Sequence, residues 1–120
     1  MKWGCIQDVA SGDKLLYWVL IFVLQPYFDS AIDHWLKDIC KDGGGMSGDP
    51  GWSIDHISVT GSQACFRVWA DPEMSGIEPS EATYSDEDMR RAIRDTLNAL
   101  AVEYPKKSRE VELMVERYCA

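Results

Sequence analysis

The chain has 120 residues, 46% of them apolar, and a formal charge of −8 with a pI near 4.6. That length suits one domain, residues 1–120, and the apolar fraction argues against disorder, so a real core is expected. Such acidity disfavours direct contact with nucleic-acid backbone or anionic lipid and favours basic partners, although solubility alone accounts for the same charge.

Trp3, Cys5, Gln7 and Val9 share one face if the first segment is a strand, and Ser11-Gly12-Asp13 reads as a turn. The run LLYWVLIFVL follows at 15–24. Six of its ten residues are β-branched or aromatic (Tyr17, Trp18, Val19, Ile21, Phe22 and Val23). That weighting favours a strand buried on both faces; a buried helix gives the same continuous apolar signature and stays open. Ten residues are too few to span a bilayer. Pro26 closes the element. Ser30 is a candidate N-cap with Asp33 in capping-box position, and Ile32, Trp35, Leu36, Ile39 and Cys40 form one helical stripe. A helix is therefore expected near 30–41, closed by Gly43.

Asp49-Pro50-Gly51 is turn chemistry and opens a hairpin. Trp52 and Ile54 alternate on one face, and Ile57 and Val59 on the other, which implies a bulge near Asp55-His56. Thr60-Gly61-Ser62-Gln63 makes the hairpin turn. In the return strand Ala64, Phe66, Val68 and Ala70 point one way, and Cys65, Arg67 and Trp69 the other. Asp71-Pro72 ends it. Residues 72–88 read as a loop carrying six acidic side chains and no basic one. Ser85 and Asp88 signal another helix start. Met89, Ile93, Leu97, Leu100 and Tyr104, with Ala92 and Ala101 beside them, are the stripe of a long helix stopped by Pro105. Ser108 caps a last helix with Val111, Met114, Val115 and Tyr118 inward. The expected fold is α+β: a small antiparallel sheet built on the hairpin 52–70, with further N-terminal strands open, packed by three helices near 30–41, 86–104 and 109–118.

The chemistry-bearing residues do not assemble into a catalytic pattern. Four cysteines stand at 5, 40, 65 and 119, without Cys-x-x-Cys or zinc-finger spacing. Cys40, Cys65, His34 and His56 fall on different elements, and a hairpin centred on Gly61-Ser62 sets Cys65 opposite Ser58 or Val59 and away from His56. Gly43-Gly44-Gly45 lacks the Lys-Ser or Lys-Thr of a phosphate loop. No catalytic residue, metal or cofactor is expected. Cysteine usage and the lack of a signal-peptide pattern point to free thiols in the cytoplasm. What remains is a binding surface. Glu73, Glu78, Glu81, Asp86, Glu87 and Asp88, helped by Asp29 and Asp33, supply the charge, and Trp69 and Tyr84 flank it as candidate anchors. A solvated helix N-terminus explains part of the same acids.

Asp49-Pro50-Gly51-Trp52-Ser53-Ile54, followed by Asp55, Ile57 and Thr60, resembles a motif of some bacterial polymorphic-toxin and contact-dependent growth inhibition immunity proteins. In these a proline-glycine-tryptophan turn opens a strand of similar pattern. The resemblance implies a small cytoplasmic α+β protein that binds and neutralises a cognate toxin domain, often a nuclease or another nucleic-acid-directed enzyme; the acidic side chains then suggest occlusion of that toxin's basic cleft. Two other classes fit the residues: a phage-encoded inhibitor such as an anti-CRISPR, and a non-catalytic adaptor domain.

Overall fold

The computed structural model of the chain describes residues 2–24, 37, 44–48, 51–57 and 65–118. A 3-10 turn at Ser11–Asp13 leads into helix α1, Lys14–Leu24. Strands β1 (Gly45–Gly48), β2 (Trp52–Ile57), β3 (Cys65–Ala70) and β4 (Glu81–Ser85) form one antiparallel sheet in the order β1-β2-β3-β4. A one-turn helix α2, Pro72–Ser75, sits between β3 and β4. Helix α3, Asp86–Glu103, and helix α4, Ser108–Tyr118, complete the described chain. This is a small α+β fold.

Inward side chains of the sheet are Trp52, Ile54, Phe66, Val68, Ala70 and Tyr84, all buried. They meet α1, α3 and Val111 and Met114 of α4 in one core cluster. Helix α3 buries Met89, Ala92, Ile93, Thr96, Leu97, Ala99 and Leu100, and the Thr96 hydroxyl donates to the Ala92 carbonyl at 2.7 Å. The stripe therefore runs as its spacing predicts up to Leu100. Tyr104 leaves it: the residue lies just past the helix end, 41% exposed. Ser108 has helical backbone angles and belongs to the last helix, which Pro105–Lys107 enters as a 3-10 turn. Of the helix expected at 30–41 only Lys37 is described, and it is helical.

Five sequence expectations are corrected. Residues 15–24 are a helix. As a strand the ten-residue run would extend about 33 Å, far beyond β2 and β3 of six residues each. Coiled into α1 it keeps seven residues buried, and burial on several sides overrides the β-branched weighting. Trp3–Val9 is a series of turns with an isolated Lys2–Cys5 bridge, from which Trp3, Ile6 and Val9 pack on the core.

The bulge near Asp55-His56 is absent, because the β2–β3 register runs unbroken from Trp52 opposite Ala70 to Ile57 opposite Cys65. His56 thus shares the inward face, and its ring stacks on Phe66 with centroids 4.4 Å apart and planes 13° off parallel. Ile57 stands on the outward face, and it, not Ser58 or Val59, is opposite Cys65. Residues 58–64 lie outside the described residues. Finally, 72–88 is not a loop. Asp71 caps α2 by accepting from the Glu73 N–H at 2.9 Å with Pro72 in the first turn, and Gly76 closes it at φ 66°. Strand β4 follows, with Ala82 and Tyr84 inward.

Gly51 joins the two ends of the central hairpin. Its φ is 135°, its carbonyl accepts the Asp71 N–H at 2.8 Å, and a Cβ there would lie 3.1 Å from Asp71 Cβ. Gly51→Ala is expected to lower stability by about 1–3 kcal/mol. The check is the denaturant midpoint; a midpoint equal to wild type refutes the requirement for glycine.

Candidate protein-binding surface

Side chains alternate across a strand, so each inward residue of the sheet has outward neighbours. The β2–β3–β4 register lays these out in rows: Ser53, Trp69 and Glu81; then Asp55, Arg67 and Thr83; then Ile57, Cys65 and Ser85. Asp55, Arg67, Glu81, Thr83 and Ser85 are exposed, and Trp69 is half-buried. Arg67 Nε lies 3.5 Å from Glu81 Oε1, diagonally across the two rows. Trp69 is therefore an outward, half-buried indole with Glu81 beside it, a large flat apolar group. Glu73, on α2, and Glu78, just before β4, are both exposed and belong to the segment that links Trp69 to Glu81.

Asp86, Glu87 and Asp88 form a second group. They occupy the first turn of α3, where carboxylates oppose the helix dipole. Ser85 caps this helix, its hydroxyl accepting the Asp88 N–H at 3.0 Å. Strand β4 separates the two groups by about 13 Å, so the acidic run of the sequence is two clusters in space. Half of the acids have arginine partners: Glu81 with Arg67, Asp86 with Arg90 at 2.9 Å, and Asp88 with Arg91 at 2.9 Å. Arg91 also approaches Asp13 at 3.9 Å. The three arginine side chains are about half exposed, and such pairs contribute little stability. They do reduce the field that a partner meets. Glu73, Glu78 and Glu87 make no ion pair among the described residues.

Tyr84 does not belong to this surface. It is 6% exposed, and its hydroxyl donates to the Gly12 carbonyl at 2.9 Å. Its alternation with Ala82 was the sign of an inward position. Asp29 and Asp33 lie outside the described residues. Sequence reasoning also missed a shallow pocket of about 170 Å³ with Phe66, Met89 and Ile93 in its lining and Asp86, Arg90, Arg117 and Tyr118 around them. It forms where β3, α3 and α4 converge, a meeting that no local pattern encodes.

Among the described residues, Cys5 is exposed and Cys65 half-buried, both free. No three His, Cys, Asp or Glu side chains of the described residues converge as metal ligands. No described helix is long and apolar enough to cross a membrane. No protein-family model, curated protein or solved structure matches the chain.

Two buried tyrosines carry hydroxyls that bond across elements. Burial, and then the Asp95 carboxylate that accepts the Tyr17 hydroxyl at 2.6 Å, raise the Tyr17 pKa far above the ordinary phenol range. Burial also raises that of Tyr84. A raised folded-state pKa stabilises the fold fully below the unfolded value near 10 and loses that contribution as pH climbs through the folded value. Stability should therefore fall on the alkaline side of pH 10, with phenolate absorbance from Tyr17 and Tyr84 appearing only as the fold opens. Tyr17→Phe and Tyr84→Phe should each remove a late-ionising phenol from an ultraviolet pH titration. Complete, reversible ionisation of every tyrosine near pH 10 with the fold intact is the contrary result.

Proposed function

We propose that this chain is an immunity-type inhibitor: a cytoplasmic, non-catalytic protein that binds a basic bacterial toxin domain and blocks its nucleic-acid cleft. The observation that carries the reading is Trp69 on the outward face of the sheet, beside Glu81 and joined to it through a segment bearing Glu73 and Glu78. An aromatic anchor rimmed by carboxylates suits a protein partner whose surface is positive. A cleft that holds nucleic acid must be positive, and an acidic inhibitor competes in the same field. The sequence from Asp49 that resembles a motif of immunity proteins includes β2, the strand beside Trp69's own.

The roles divide physically. Rim carboxylates act at long range and set the association rate, which salt weakens because screening extends only about 8 Å at physiological ionic strength. Trp69 acts at contact and sets the dissociation rate. Tyr84, being core, has no part in either.

The test is binding kinetics with the toxin domain encoded next to this chain's gene. Reversing Glu73, Glu78 and Glu87 together to lysine breaks no ion pair of the described residues and should slow association about tenfold or more at low salt, with a smaller effect at high salt. Trp69→Ala should leave association nearly unchanged and speed dissociation by roughly tenfold or more. Both variants should melt close to wild type. Kinetics indifferent to both changes and to salt would overturn the assignment of this face, and a toxin left active by the wild-type protein would overturn the function.

A further inference from the structure

The outer edge of β4 follows from its register. Ala70 N–H donates to the Ser80 carbonyl at 2.9 Å, so residues 70 and 80 are a hydrogen-bonded pair. Such pairs alternate in antiparallel strands. Val68 with Ala82 and Phe66 with Tyr84 are then bonded, while Trp69–Glu81 and Arg67–Thr83 are not. The backbone groups of Ser80, Ala82 and Tyr84 therefore face β3. The N–H and C=O groups of Glu81 and Thr83 face away from it, along the last edge of the sheet. Among the described residues no strand and no backbone hydrogen bond reaches that edge.

Natural edge strands are blunted by charged side chains, above all lysine, by proline, by a bulge or by being very short. Strand β4, EATYS, has no lysine or proline, and its register with β3 is continuous from Glu81 to Ser85. What it has is negative charge: Glu81 on the strand, Glu78 before it, and Asp86, Glu87 and Asp88 after it. A second copy of this chain paired antiparallel about Thr83 would bring both copies' carboxylates together at each end, and like charges oppose such pairing. A basic extended segment meets the opposite situation.

We propose that β4 takes up an extended segment of the partner as a fifth strand, with lysine or arginine at alternate positions facing Glu81 and the flanking acids. The inference rests on the protein-binding reading above and specifies its mode. Main-chain bonds to Glu81 and Thr83 supply affinity, and alternate basic side chains supply selectivity. The added strand would continue the row that contains Ser53, Trp69 and Glu81, so the tryptophan and the edge serve one interface.

The probe is a capped seven-residue peptide of alternating lysine and valine, compared with its glutamate–valine counterpart and with a lysine–valine peptide N-methylated at its lysines, whose N–H groups face β4 in an antiparallel pairing. The lysine peptide should slow amide hydrogen exchange at Glu81 and Thr83, and the other two peptides should not. Thr83→Pro removes an N–H that faces the edge and no bond to β3, so the sheet should persist while peptide affinity falls about tenfold, the loss expected for roughly one hydrogen bond and its geometry. Should Thr83→Pro unfold the protein, the N-methylated peptide alone decides. Equal binding of that peptide, protection at amides elsewhere, or salt-insensitive self-association of the free protein through Glu81 and Thr83 would each overturn strand addition. The two readings fail separately. A toxin complex that survives Thr83→Pro but weakens in Trp69→Ala keeps the inhibitor and loses the fifth strand; protected amides with a toxin that is never inhibited give the reverse.

Discussion

Helix α1 is the constraint on which the arrangement depends. It buries seven of its eleven residues, because it lies between β3 and α3. An apolar run this dense leaves water only by being covered on several sides, and that requirement draws the sheet and α3 around it. Two hydroxyls fix the angle at which this happens. Tyr17 reaches from α1 to Asp95 on α3, and Tyr84 reaches from β4 to the Gly12 carbonyl at the entry to α1. The helix start is thereby tied to both partners. One face of the sheet is consumed by this packing, and the other carries Trp69, Arg67 and Glu81.

The sequence was legible wherever one local rule governed and no distant element competed. The α3 stripe from Met89 to Leu100, the Ser85 cap and the inward set Phe66, Val68 and Ala70 all follow from spacing alone. Leu15–Leu24 was ambiguous because continuous apolarity erases the period that distinguishes helix from strand; only the short strands around it decide. Ile57 misled for another reason. An apolar residue out of phase with Trp52 and Ile54 suggested a bulge, whereas Ile57 stands outward in an unbroken register and His56 takes the inward place, its ring on Phe66. Residues 72–88 hid two short elements under their turn formers, although Asp71-Pro72 and the alternation of Ala82 with Tyr84 carried the signals.

The binding surface was legible in part. Composition located the acids and the nearby aromatics, but it could not show that Tyr84 points into the core, or that Arg67, Arg90 and Arg91 stand beside Glu81, Asp86 and Asp88. The last two pairs arise at helical spacing and so were readable in principle; Arg67–Glu81 depends on strand register. Among the described acids of this surface, the charge without an ion pair is concentrated on Glu73, Glu78 and Glu87. Asp71 contributes to this placement, since its N–H is held by Gly51 while its carboxylate starts the helix that carries Glu73.

Strand β4 separates two kinds of selection within five residues. Ala82 and Tyr84 answer to the interior, where a change of volume or a lost hydroxyl is felt at once. Glu81 and Thr83 answer to whatever lies outside, and Ser85 to the helix that it caps. The pleat keeps the two sets from touching, so Glu81 and Thr83 are free to vary while packing holds Ala82 and Tyr84 and the cap of α3 holds Ser85. The outer chemistry of the strand can thus be rewritten at two positions without renegotiating the fold.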